Sequence, residues 1–249
     1  MFDKRQIARQ FDRSASRYEN FDSLQRMMND ELLAWVSGCS RIVDIGCGNG
    51  RALAKIAISQ PASTHVGIDI SEGMLRQTLR AYPTLVPIQA DMENLPLPDH
   101  SFDLVYSCAA MQWGQPDRAL DEARRVLSQQ GKLLLGTLVA GSLQEWRRAW
   151  ELAGDASRVH DLPSANDLLE KLSDSGLQIL RRRQFEHCFQ YSSPESMLRD
   201  LKGLGGTHAR IERPRGLLGK DTYRRFREAL LGQGCTARYQ ILLVEAVAP

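Results

Sequence analysis

The 249-residue sequence contains no CxxC pair, no Cys/His cluster and no HExxH; its five cysteines (Cys39, Cys47, Cys108, Cys188, Cys235) and five histidines stand apart. That scatter lacks the usual zinc spacings and a disulfide framework, so the sequence predicts no metal and free thiols in a reducing compartment. It also lacks any apolar run near the ~18 to 20 residues that a membrane span requires, and its first thirty residues are too polar for a secretory signal. The expectation is a soluble, cytoplasmic chain with no membrane partner. Aromatic residues are few, at 7%, and do not alternate with the arginines as on a base-stacking surface, so no nucleic-acid partner is expected. Neither sign of charge dominates, at a formal net +2, yet residues 177–240 hold thirteen Lys and Arg against six Asp and Glu. One end of the chain is thereby suited to an acidic partner.

Hydrophobic residues make up 43% of the chain, enough for one core with elaborations. Residues 1–37 carry Ile7, Phe11, Tyr18, Leu24, Met28 and Leu32 at helical spacings. RIVDIG (41–46) then reads as a strand cut off by the glycine-rich CGNG, and RALAKIAISQ as a helix stopped by Pro61. HVGIDI, VPIQAD, FDLVYSCAA and GKLLLGTLVA repeat the strand signal. Helical stretches lie at 71–82 and 116–128. Strands apolar on both faces that alternate with helices imply a doubly wound α/β fold, its sheet mostly parallel and buried. Beyond Ala140 come helices over 141–154 and 164–176, a strand over 178–189 and a terminal strand over 238–248. The roughly fifty basic, glycine-rich residues between those last strands read as a lid or a docking segment.

In an open α/β sheet, ligands bind beyond the carboxyl ends of the strands. VDIGCGNG closes the first strand there, with Gly46 and Gly48 letting backbone approach a ligand. Asp69, nineteen residues after Gly50, ends the second strand, where an acid can accept from both hydroxyls of a ribose. Asp91 ends the third and can accept from an amino group on a base. Each acid alone could be turn or cap chemistry; three at successive strand ends favour a ligand. Dinucleotide enzymes share this layout, but Asp44 inside the strand end would face a pyrophosphate unfavourably. It suits a cationic amine, as S-adenosylmethionine offers. Cys47, Ile70, Met92 and Ser107, neighbours of these positions, complete the expected cofactor contacts.

The spacing of Asp44, Asp69, Asp91 and FDLVYS resembles the class I methyltransferase motifs, which implies a seven-stranded, Rossmann-like sheet. Outside them, FDRSASRYE with the following LQR, AAMQW (109–113), LVAGSLQEWRRAW, MLRDLKGLGGTHAR and RYQILLVEAVA resemble the malonyl-acyl-carrier-protein methyltransferases of biotin synthesis. The likeness spans nearly the whole chain; Gln240 is its one local departure. It implies methylation of the free carboxylate of a malonyl thioester on acidic acyl carrier protein, with S-adenosylmethionine as donor and S-adenosylhomocysteine as product. It implies an N-terminal helical lid over 1–37, a cofactor-binding core over 38–190, a helical insertion for substrate and carrier over 191–236, and a terminal core strand over 237–249. Tyr18 would belong to the lid and face the sulfonium end of the cofactor, Gln112 and Trp113 would line the mouth, and the three would make up the catalytic set. Arg199, Lys202, Arg210, Arg213 and Arg215 would meet the malonyl carboxylate or the carrier. The same core suits another small molecule or a quinone, so that substrate stays open beside the carrier. A monomer is expected.

Overall fold

A computed structural model describes residues 3–61, 64–155, 161–203 and 219–249. Three short segments open the chain: α1 (Lys4–Ser14), a 3₁₀ turn (Ala15–Asn20) and α2 (Ser23–Leu33). The alternation follows as β1 (Arg41–Ile45), α3 (Arg51–Ser59), β2 (Thr64–Asp69), α4 (Glu72–Ala81), β3 (Val86–Gln89) and β4 (Phe102–Cys108). A second 3₁₀ turn (Met111–Trp113) leads to α5 (Pro116–Val126) and β5 (Leu127–Leu138). The remainder is α6 (Gln144–Leu152), α7 (Ala165–Asp174), β6 (Gln178–Gln190), α8 (Pro194–Gly203), α9 (Lys220–Gly232) and β7 (Thr236–Val247).

The seven strands form one sheet in the order β3-β2-β1-β4-β5-β7-β6. β1 to β5 run parallel, while β7 is antiparallel to both neighbours. Neighbouring strand residues feed opposite cores. Ile42, Tyr106 and Leu134 join α2, α3, α6 and α9 on one face; Val43, Val105, Leu133 and Leu135 join α5 and α7 on the other. That two-sided burial explains why these strands read as continuous apolar runs. Strand order reverses between β2-β1 and β4-β5, which places a ligand crevice at the carboxyl ends of β1 and β4.

α2 belongs to the first of these cores, with Met28 and Leu32 at 0% exposure. Its Asn29 Oδ1 accepts from the buried Tyr106 hydroxyl at 2.7 Å. α1 and its 3₁₀ turn lie over the crevice, and the polar face of α2, with Gln25 and Asn29, borders it. The structure also starts β5 four residues before the sequence pattern does. Phe102 pairs with Leu127 and Leu104 with Lys132, so residues between bulge outward. Gln130 N–H then donates to Ala248 O at 3.0 Å and Ala248 N–H to Gly131 O at 2.9 Å, satisfying backbone between the helix expected to run to 128, which ends at Val126, and the expected strand. Among the described residues, no helix is long and apolar enough to cross a membrane.

Candidate functional site

The crevice begins where β1 ends. Gly46 and Gly48 sit at φ +79° and +55°, a region that disfavours side chains, and a Cβ on Gly46 would lie 2.2 Å from the Ala110 Cβ. Gly46 and Cys47 N–H both donate to Ile68 O, at 2.7 and 2.9 Å, which ties the turn to β2. At Gly48 an added Cβ would meet nothing within 4 Å, so open space lies against its backbone.

Asp44 and Asp69 flank that space. Asp44 is 2% exposed, and burial pushes its carboxyl up to about 8, with the Asp69 charge adding to the effect. Burial likewise brings Asp69 up to about 6, opposed by amide hydrogen bonds from Ser71 and Gly48. Those amides donate at 2.8 and 2.9 Å, and a carboxylate keeps further lone pairs for hydroxyl donors. Asp91 lies just past β3, in a turn where its Oδ1 accepts from Glu93 N–H at 3.0 Å.

Two cavities meet in this crevice. One is lined by Asp69, Ile70, Asp91, Met92, Phe11 and Trp113; the other by Asp22, Gln25, Asp44, Cys47, Asn49 and Arg51. Tyr18, Gly46, Gly48 and Cys108 line both, so Tyr18 stands at their junction. Burial, then the charges of Asp22 and Asp69, raise the Tyr18 hydroxyl, which keeps it a neutral phenol. Burial also raises the Cys47 and Cys108 thiols, leaving two uncharged sulfurs beside the junction.

The arm closes the crevice through polar contacts that local sequence pattern does not announce. Asp12 Oδ1 accepts from Ser71 Oγ at 2.7 Å and Gly73 N–H at 2.8 Å, at the N-terminus of α4. Glu19 accepts from Asn49 at 3.1 Å and lies 3.1 Å from Arg51, while Arg51 reaches Asp22 at 2.9 Å. The Phe11 ring meets Trp113 edge-on at 5.8 Å. Lys4, Phe11, Asp22, Gln25, Asn49 and Arg51 were absent from the sequence-based set. Only Phe11 carried a signal, through its apolar spacing.

Two residues of that set are placed differently from expectation. Ser107 is fully buried and donates to Ile45 O at 2.8 Å, apart from the lining of either cavity; Cys108, Ala109 and Ala110 hold that wall instead. The strand's alternation turns Ser107 inward between β1 and β4. Gln112 is 8% exposed and bridges Ala109 O at 2.9 Å to the Thr137 hydroxyl at 3.2 Å, so it braces the turn carrying Trp113 rather than lining the cavity. Arg199 and Lys202 are exposed on α8, outside both cavity linings. Arg210, Arg213 and Arg215 lie outside the described residues. The basic stretch is also partly neutralised within the chain: Arg181 pairs with Glu245, Arg183 with Glu31, Arg227 with Glu195 and Arg238 with Glu145.

An acid-rimmed crevice at the switch point of a 3-2-1-4-5-7-6 sheet, with an antiparallel β7, defines an S-adenosylmethionine-dependent methyltransferase. Residues 43–135 match the methyltransferase domain family. The chain is 34% identical over 226 residues to a malonyl-[acyl-carrier protein] O-methyltransferase of Halorhodospira halophila, covering 87% of this chain and 76% of that one. It is 32% identical to the protein of that name from Hahella chejuensis, over 96% of this chain and 88% of the other. The chain belongs to the malonyl-[acyl-carrier protein] O-methyltransferase family. In fold it is similar to geranyl diphosphate C-methyltransferase from Streptomyces coelicolor, solved with S-adenosyl-L-homocysteine, at a TM-score of 0.58 and 14% identity, covering 91% of this chain and 81% of that one.

Proposed function

We propose that this chain transfers a methyl group from S-adenosylmethionine to the free carboxylate of a malonyl thioester on acyl carrier protein. The product ester, with its charged end neutralised, enters fatty-acid elongation toward pimeloyl and biotin synthesis. One observation carries this reading: relatives named for that activity align along nearly the entire chain, including the arm and the segments after β5 that the shared core does not require.

The residues present fit the donor. Buried acids meet a cationic group, and the open flank of Gly48 admits a ligand against backbone. In this reading Asp69 holds the ribose, Asp91 with Ile70 and Met92 holds the base, and Asp44 with Cys47 faces the amino-acid end. When bound, S-adenosylmethionine supplies a methyl group made electrophilic by positively charged sulfur.

A malonyl carboxylate is already ionised at neutral pH, so the chain need hold no proton in readiness. Tyr18, a neutral phenol, excludes water at the junction of the two cavities instead of acting as a base. The protonated thiols of Cys47 and Cys108 offer no competing thiolate to the methyl group. α1, held down through Asp12 and Ile7, would exclude water from the site and so favour the ~3 to 3.5 Å approach that transfer requires. Trp113 walls the mouth, and Gln112 fixes its turn. Arg199 and Lys202, with Arg210, Arg213 and Arg215, serve the acidic carrier. The enzyme works as a cytoplasmic monomer in this reading, without a membrane or nucleic-acid partner.

The test is release of S-adenosylhomocysteine with malonyl carrier protein, malonyl-coenzyme A and RNA offered in parallel. Turnover on the malonyl thioesters is expected, fastest with the carrier protein. Turnover on RNA alone, or on none, would overturn the reading.

A further inference from the structure

The cavity below Tyr18, whose lining also carries Arg26, Arg51 and Lys55, holds two buried acceptor atoms without a hydrogen-bond donor. Asp22 is 3% exposed, and both its Oδ1 and the Gln25 Oε1 are shut from solvent with no hydrogen bond. The other Asp22 oxygen is taken by Arg51 Nη1 at 2.9 Å, and Arg26 Nε, 3.1 Å from Oδ1, is not aligned to donate to it. Asp44, buried and raised by that burial, lines the same cavity. Leaving a buried acceptor unpaired costs about 1–3 kcal/mol. Two such atoms beside a buried carboxylate suit a guest that brings several N–H donors and a positive charge. A primary ammonium has three donors and one charge.

The second cavity fixes which part of the donor that is. Asp69 and Asp91 lie on the far side of Tyr18, where the nucleoside belongs, so the amino-acid end falls on the near side. Arg51 lines that near side too, a cation for the carboxylate that accompanies an α-amino group.

We propose that Gln25 and Asp22, together with Asp44, form the site for the donor's α-ammonium group, and that Gln25 Oε1 is a specificity-determining contact within it. This rests on the donor reading above and extends it to two residues of α2 and the turn before it. Because Gln25 accepts from a guest and from nothing in the chain, its loss leaves the unliganded fold intact.

Calorimetric titration separates this from a structural role. S-adenosylhomocysteine carries the amino-acid end, while 5′-methylthioadenosine keeps the nucleoside and sulfur without it. Gln25→Leu is expected to weaken the first about tenfold, to leave the second within about twofold, and to melt no lower than the wild type. Gln25→Glu, which keeps an acceptor, is expected to bind S-adenosylhomocysteine at least as tightly as the wild type at pH 8. Unchanged S-adenosylhomocysteine affinity in Gln25→Leu, or equal weakening of both ligands, overturns the proposal while leaving the donor reading intact. A wild-type protein that binds neither ligand overturns both.

Discussion

Lys4 Nζ lies 2.5 Å from Asp91 Oδ2 and 2.6 Å from Glu93 Oε2, so the first helix neutralises the acid beyond β3 from 87 positions away. The pair is about one-third exposed on each side, 32% for both Lys4 and Asp91, and is therefore worth ~1 kcal/mol or less in water. In the function proposed above, where Asp91 meets the base, Lys4 competes for one of its carboxylate oxygens. Lys4→Met is expected to raise S-adenosylhomocysteine affinity by up to about fivefold at low salt, an effect that fades as salt rises. A loss of affinity would mean that Lys4 holds the ligand directly.

Asp44 sets stability against binding. Its carboxyl is raised by burial from 3.8 to about 8, so the folded chain favours the protonated form. The stability tied to that proton is fully present below pH ~4 and is lost as pH rises toward 8. Asp44→Asn cannot lose it. The unliganded variant is expected to gain at least about 1–2 kcal/mol at pH 8, roughly 2 to 8 °C in melting temperature, and to match the wild type near pH 4. The same variant is expected to bind S-adenosylhomocysteine at least tenfold more weakly, because the amine loses its anionic partner. Scanning calorimetry across pH 4 to 8 checks the first outcome and titration the second.

Gly203 ends α8 against the arm, and a Cβ there would stand 2.2 Å from the Phe21 ring. Phe21 follows the turn that carries Tyr18, so α8 meets the N-terminal arm there. Gly203→Ala is expected to displace that ring and to lower methyl transfer about three- to tenfold, with a smaller change in melting temperature than a core truncation of 2–5 kcal/mol would give. Stopped-flow and denaturation measurements on the same preparation distinguish a local shift from global loss.

Arg199 and Lys202 are exposed on α8, where charge acts on a partner at long range. Reversing both to Glu is expected to slow turnover on malonyl carrier protein at least tenfold at low salt and to leave malonyl-pantetheine nearly unaffected. Equal loss on both substrates would place one of these side chains on the malonyl carboxylate instead.

Apolar strands alternating with helices gave the parallel sheet because each buried strand needs apolar residues on both faces, as Val43 and Ile42 show by feeding opposite cores. The acids at successive strand ends were equally legible, since Asp44 and Asp69 sit in strands whose ends the glycine turn and the Ser71 cap announce. Contacts between distant segments were not. Nothing in the local pattern ties Lys4 to Asp91, or Asp12 to Ser71 across 59 residues. Composition likewise counts the arginines of residues 177–240 without seeing that Glu31, Glu145 and Glu245 return to meet them. Ser107 shows the converse limit. A strand places alternate residues on opposite faces, and without the register its hydroxyl could not be assigned to Ile45 rather than to the crevice.

The most direct measurement is titration of S-adenosylhomocysteine into the wild type and Asp69→Ala at neutral pH. Asp69 is held by the Gly48 and Ser71 amides with lone pairs to spare, so its loss is expected to cost about 2 to 4 kcal/mol of binding, roughly 30- to 1000-fold. Unchanged affinity in a folded variant would contradict the assignment of this acidic rim to the donor.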